Sequence, residues 1–237
     1  MKRKIITIVL LLALTASLAT LFACKEEKGE SKYLVLVNKE NAVGAGYVPD
    51  DLVDIDKDYT TGGKSIQLEK TALEALIRML DDMKDAGITN VTVTSAYRTY
   101  EYQERLFNKY IANESEAHPT WSEDRVKEEV LTYSAAPGTS EHQTGLCVDL
   151  FTDEMEGLYN FGEETPKNPY DKGFAETEAY EWLCENAHKY GFILRFPENK
   201  TEITGYSYES WHYRYVGVEH ATEIRKNGLT LEEYLDK

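Results

Sequence analysis

Two short stretches hold the residues best suited to chemistry. In the first, Ser140-Glu141-His142-Gln143-Thr144-Gly145-Leu146-Cys147-Val148-Asp149, a histidine and an aspartate flank a turn-forming Thr-Gly and a short apolar run. The second, Glu209-Ser210-Trp211-His212-Tyr213-Arg214, lies about sixty residues downstream. Together they supply two imidazoles and one carboxylate, with a spare glutamate near the last histidine. That is the donor set of a catalytic zinc site: three protein ligands, an open position for water and a base to deprotonate it.

Of the five histidines, only His142 and His212 stand beside turns entering apolar strands with acids at fixed offsets; His118, His188 and His220 read as surface or helix residues. If residues 147 to 151 are extended, Asp149 shares a face with Cys147 and Phe151, while Val148 and Leu150 point the other way. An aspartate inside an apolar strand is costly to bury unless it is paired or metal-bound. Taken alone, an arginine or backbone partner satisfies that demand as well as a metal does. Glu209 and His212 are three apart, so on one continuous strand they face opposite sides, and Glu209 is expected on the preceding turn. There it can move protons, whereas an unpartnered exposed carboxylate is the bland alternative. Cys147 has a sulfur able to bind zinc but reads better as a small buried filler. Arg98 ends a strand beside Tyr97, where a fixed guanidinium can grip a carboxylate through two hydrogen bonds. Such an arginine is usually structural; next to a zinc site it suggests an exopeptidase that reads a free C-terminal carboxylate.

The elements that must position these residues show in the periodicity. Tyr33 to Asn38 is an apolar strand, followed by a Gly-rich loop over 41–49. Leu68, Ala72, Leu73, Leu76, Ile77, Leu80 and Met83 recur at helical spacing, with Gly87 as the stop. Val91-Thr92-Val93-Thr94 alternates as a half-buried strand. Thr99 caps a helix to about Ala112 that places Tyr102, Leu106 and Tyr110 on one face. A further helix runs from Ser122 to Tyr133. Cys147 to Phe151 is a strand, Thr152 to Lys172 an acidic loop, Ala175 to Tyr190 a helix, and Phe192 to Phe196 and Trp211 to Val216 are strands. Trp211, Tyr213 and Tyr215 are expected on the core side of the last strand, with His212 and Arg214 opposite. Thr230 and Glu233 form a capping box for a short closing helix. The mixture lacks a βαβ rhythm, which predicts an α+β fold with a small, mostly antiparallel sheet flanked by helices.

Residues 1–23 read as a signal peptide: Lys2-Arg3-Lys4, then an apolar run to Phe22. Leu21-Phe22-Ala23-Cys24 is similar to a bacterial lipobox, which makes Cys24 the lipidated residue. Residues 24–32 then form a flexible tether and 33–237 a single catalytic domain. An uncleaved signal anchor is the alternative; either way the domain is exported. The formal charge is −16, and losing residues 1–23 removes three basic residues and no acid, which makes it −19. So acidic a surface excludes nucleic acid as a partner and leaves membrane attachment to the lipid. Cys147 and Cys184 read as two small thiols rather than a disulfide.

Ser95-Ala96-Tyr97-Arg98 with Gln103, Ser140-x-His142-x-x-Gly145-x-x-x-Asp149 and Glu209-x-Trp211-His212-x-Arg214 together resemble the VanY-type D-alanyl-D-alanine carboxypeptidases. These belong to a wider group with lysostaphin-like enzymes and the hedgehog signalling domain. The resemblance runs from about Leu34 to Val216, including Asn38 and Tyr47 to Leu52. It implies the hedgehog/D-Ala-D-Ala peptidase-like fold, Zn2+ bound by His142, Asp149 and His212, and Glu209 as catalytic base. Arg98 would hold the substrate carboxylate, with Gln103 and Ser140 as further substrate contacts. The implied activity removes the C-terminal D-alanine from peptidoglycan stem peptides at the outer face of a bacterial cytoplasmic membrane. Alternatives are an L,D-carboxypeptidase on tetrapeptide stems, a D-Ala-D-Ala dipeptidase, and a non-catalytic wall-binding module that keeps zinc for structure. The departure from the family is Cys147, which stands where a small apolar residue is usual.

Overall fold

The computed structural model describes residues 31–153 and 173–236. The expected signal peptide, the lipidated Cys24 with most of its tether, and the 152–172 loop beyond Asp153 lie outside the described residues. Four antiparallel strands form the main sheet in the order β3 (Val91–Ser95), β4 (Cys147–Thr152), β6 (Glu209–Tyr215) and β5 (Phe192–Phe196). A two-stranded ribbon, β1 (Leu52–Asp54) with β2 (Gln67–Glu69), stands apart from it. Seven α-helices among the described residues complete the chain: α1 (Lys70–Asp85), α2 (Tyr100–Ala117), α3 (Glu123–Tyr133), α4 (Glu178–Asn186), α5 (Thr201–Thr204), α6 (Val218–Asn227) and α7 (Leu231–Leu235). The α+β expectation holds, and none of these helices is long and apolar enough to cross a membrane.

The sheet has two unlike faces because side chains alternate along each strand. One face carries Val148, Leu150, Trp211, Tyr213, Tyr215 and Phe192 into the main core, where α1 and α4 cover it with Leu76, Met79, Ala179 and Leu183. Leu68, Leu76, Met79 and Met83 are wholly buried, each contributing about 1.5–3 kcal/mol of hydrophobic stabilisation. The other face carries Cys147, Asp149, His212 and Arg214, all buried as well. The last strand therefore presents its aromatics and its polar residues to opposite sides as its alternation predicts. What differs from a usual half-buried strand is that the polar side is also covered.

Several local expectations are corrected. Tyr33 to Asn38 is not a strand: Lys32–Leu34 is a 3₁₀ turn, and the carbonyls of Tyr33 and Val35 accept from Arg214 Nη2 at 3.0 and 2.7 Å instead of from a neighbouring strand. Thr99 does cap α2, accepting from the Tyr102 amide, but α2 runs on to Ala117 and buries Gln103, Phe107 and Glu114. Tyr102 is exposed, while Leu106 and Tyr110 line a cavity rather than a core. The 175–190 helix is interrupted at Thr177, which caps α4 through the Tyr180 amide. The capping box at Thr230 and Glu233 is present on α7.

Candidate metal centre and active site

His142 lies in a 3₁₀ turn, Glu141–Thr144, that leads into β4. The turn closes on Gly145 at φ +65°, and its carbonyl accepts from the Glu69 amide at 2.8 Å. This left-handed residue suits glycine, and a Cβ there would meet Leu52 Cδ2 at 2.9 Å. The chain then re-enters the sheet with Asp149 directly opposite His212 in the β4–β6 ladder. The two motifs, distant in sequence, thus meet as one cross-strand pair.

The carboxylate of Asp149 joins the two imidazoles. Its Oδ2 is 3.2 Å from His142 Nε2 and its Oδ1 is 3.0 Å from His212 Nδ1. His142 Nδ1 donates to the Ala96 carbonyl at 2.6 Å, which makes Nε2 the nitrogen that faces Asp149. Burial alone would raise the Asp149 carboxyl, but His142, His212 and Arg98 hold it well below the ordinary carboxylate range. Two imidazoles and an ionised carboxylate thus meet, a donor set that fits a divalent transition metal once the rings give up their extra protons. Burial and Arg98 disfavour the protonated His142, yet Asp149 and Cys147 outweigh them and lift it to about 9. A metal must therefore displace a proton here, and its affinity rises with pH.

Glu209 does not lie on a preceding turn; it is the first residue of β6. The β5–β6 register shifts between Leu194↔Tyr213 and Phe196↔Glu209, so β6 carries extra residues in an irregularity. That bulge re-aims the strand and brings Glu209 Oε2 to 3.6 Å from His212 Nδ1, although the residues are three apart. Burial pushes the Glu209 carboxyl up to about 7, with His212 opposing the shift and Asp149 adding to it.

Arg98 follows β3 and reaches the same place. Its Nη2 donates to Asp149 Oδ2 at 2.9 Å and its Nε to Ser95 Oγ at 2.9 Å. Gln103 Nε2 donates to the Ala135 carbonyl at 2.8 Å, turning its Oε1 toward Arg98 Nη1 at 3.5 Å. Arg98, Gln103, Ser140, His142, Asp149, Glu209 and His212 all line one cavity of about 700 Å³, extending between α2 and α3. Its size is that of a pocket for a drug-sized ligand and exceeds the needs of a dipeptide. Cys147 is fully buried, its thiol free, and it is not among the residues lining the cavity. Its sulfur and a ring nitrogen of each histidine nevertheless lie within 4.8 Å of one another. Cys184 is also a free thiol, only partly buried.

One residue escaped the sequence reading. Glu141, between Ser140 and His142, is buried with Arg195 Nε at 2.8 Å and Arg214 Nη1 at 2.7 Å on its Oε1. The available signal was Arg195 in the apolar strand Phe192–Phe196, since a buried guanidinium requires a carboxylate partner.

Two histidines and a carboxylate gathered where a turn enters the sheet, with a second carboxylate and an arginine over one cavity, define a metal-dependent hydrolase site. The chain belongs to the VanY family of D-alanyl-D-alanine carboxypeptidases, whose match spans residues 65–218. A D-alanyl-D-alanine carboxypeptidase of Enterococcus faecalis is 38% identical over 218 residues, 92% of this chain and 71% of that protein. A vancomycin resistance D,D-pentapeptidase VanY, solved with Zn(II), is 36% identical with a TM-score of 0.67, over 86% of this chain and 99% of that one. The LD-carboxypeptidase LdcB is also 36% identical, with a TM-score of 0.67 over 85% of both chains.

Proposed function

We propose that this protein is a zinc-dependent D,D-carboxypeptidase that removes the terminal D-alanine from peptidoglycan stem peptides. The observation that carries this is the convergence of Arg98 and Glu209 on the His142–Asp149–His212 cluster over one cavity. A zinc held for structure alone needs neither residue, and this disfavours the wall-binding module. His142 Nε2, Asp149 and His212 Nδ1 are the groups that would hold the ion. Zinc bound there supplies an acidified water and a Lewis acid for the scissile carbonyl.

The protein's own residues do the rest. Arg98, braced by Ser95 and Gln103, presents guanidinium N–H groups to the free carboxylate of the terminal D-alanine and sets which bond is cut. Ser140 and Gln103 line the same wall and complete the recognition of the stem. Glu209 takes the proton of the attacking water and returns it to the departing amine. Its buried position, which lifts its pKa, suits a group that must both accept and donate near neutral pH.

Mass analysis of pentapeptide stem, tetrapeptide stem and free D-Ala-D-Ala after incubation with the zinc-loaded protein tests the reading. Loss of a single D-alanine from the pentapeptide is expected; cleavage of only the tetrapeptide would move the protein to the L,D class, and cleavage of only the dipeptide to the dipeptidases. Arg98→Lys keeps the charge but loses the planar fork, so kcat/KM is expected to fall roughly 10–100-fold. An unchanged kcat/KM on the preferred stem would remove Arg98 from carboxylate recognition.

The location we propose is the outer face of the cytoplasmic membrane, with the lipid on Cys24 as anchor. The basic start, apolar run and Leu21-Phe22-Ala23-Cys24 support it. Cys24→Ala is expected to abolish incorporation of labelled palmitate in the producing cell, and undiminished labelling would refute the anchor.

A further inference from the structure

Behind the cavity lies a buried ionic cluster that the hydrolytic chemistry does not use. Arg195 and Arg214 are wholly buried and share Glu141 Oε1. Arg195 also makes a two-point pair with Glu232 of α7, through Nη1 at 2.9 Å and Nη2 at 2.6 Å. Arg214 spends its remaining donors on the carbonyls of Tyr33, Val35 and Tyr215. Two guanidiniums and two carboxylates make a formally neutral cluster, which is what burial demands. Within it Glu141 is used lopsidedly: Oε1 takes both arginines, while Oε2 is buried with no hydrogen-bond partner.

The matching vacancy is on His212. Its Nδ1 faces Asp149 and Glu209, but its Nε2 is buried and also without a partner. These two orphan atoms lie 3.6 Å apart, beyond a good hydrogen bond and too close to be unrelated. Buried polar atoms are rarely left unpaired, so two facing orphans call for one explanation. Both facing carboxylates can only accept, so in the metal-free protein Nδ1 donates to Asp149 Oδ1 at 3.0 Å; with a metal held at Nδ1 instead, the ring's remaining hydrogen would stand on Nε2, facing Glu141 Oε2. His142 is set the same way in mirror image, its Nδ1 hydrogen tied to Ala96.

We propose that Glu141 is a positioning residue for the metal centre: it fixes the tautomer and ring orientation of His212, while Arg195 and Arg214 hold Glu141 in place. This rests on the reading of His212 as a metal ligand. Carboxylates placed behind a ligating histidine commonly govern metal affinity by one to two orders of magnitude.

The test is zinc affinity by chelator competition on the wild type and on Glu141→Gln, Glu232→Gln and His212→Ala, with folding checked by circular dichroism. Glu232→Gln is the control, because it removes a charge from the same cluster without touching His212. Glu141→Gln is expected to weaken zinc binding about 10–100-fold, Glu232→Gln less than about threefold, and His212→Ala by more than either. Equal weakening by the Gln variants would reduce Glu141 to a scaffold residue and overturn the proposal. An unaffected His212→Ala would instead sink the ligand reading beneath it, and the proposal with it. Should Glu141→Gln fail to fold, NMR of the His212 Nε2–H proton in the zinc-loaded wild type decides: a downfield, exchange-protected proton hydrogen-bonded to a carboxylate supports the proposal, and a proton at the shift of an unbonded imidazole N–H refutes it.

Discussion

Replacing Glu209 with glutamine is expected to lower kcat by about 10²–10⁴-fold on the preferred stem while zinc stays bound, the range for loss of a positioned general acid–base. Glutamine keeps the shape of the side chain and its place at the start of β6, but can neither take the proton of the attacking water nor give one to the amine. The same substitution has an expected effect on stability of opposite sign. Burial lifts Glu209 to about 7, above the value it has in an unfolded chain, so the metal-free fold loses stability as pH rises toward and through 7. Glutamine has no such titration, and metal-free Glu209→Gln at pH 8 is expected to be more stable by about 1–3 kcal/mol. Lower activity with an equal or higher Tm separates loss of chemistry from loss of fold. A kcat within tenfold of the wild type would take the base role from Glu209. In the wild type, activity should fall on the acid side as Glu209 is protonated. A divalent cation beside it favours the ionised form, so that limb belongs at or below pH about 7.

The sequence carried the site further than it carried the backbone. His142 and Asp149 could be paired because a single turn and a short apolar strand separate them, and local spacing reports such geometry faithfully. His212 could be assigned to the same site only through the combination of motifs, since its place opposite Asp149 is a cross-strand register. Glu209 shows where the reading stopped. Strict alternation sends it to a preceding turn, and the β6 irregularity that seats it beside His212 has no local sequence mark. The apolar run at Tyr33 to Asn38 has strand composition, yet its carbonyls are claimed by Arg214, a side chain about 180 residues away. Tertiary demand overrode propensity there. In α2 the face shared by Leu106 and Tyr110 serves a cavity wall, so apolar periodicity there marks the open side rather than the packed one. Glu141 stayed hidden because its meaning depends on Arg195 and Arg214 arriving from two other strands.

The two cavity-side histidines have two possible third partners, and substitutions at Asp149 and Cys147 are expected to part them sharply. Asp149→Asn should weaken zinc binding by more than about 100-fold and abolish measurable turnover, whereas Cys147→Ala should leave affinity within about threefold. The reasoning is geometric. Asp149 contacts one nitrogen of each histidine at 3.2 and 3.0 Å and lines the cavity that also holds Arg98 and Glu209. Cys147 is within 4.8 Å of both rings, but it is wholly buried and away from the cavity wall. A metal drawn to the sulfur would sit deeper on the same sheet face, away from the cavity wall that Arg98 and Glu209 line. Burial disfavours the Cys147 thiolate, although His142 and His212 outweigh it and bring the thiol down to about 7. That places a competing soft donor two residues from Asp149 on the same strand face. Cobalt substitution gives the clearest readout: a sulfur-to-metal charge-transfer band in the near ultraviolet, lost in Cys147→Ala, would make the cysteine a ligand. Its absence, with affinity lost in Asp149→Asn, keeps the ion at the cavity wall, where Glu209 and Arg98 can act on a bound peptide.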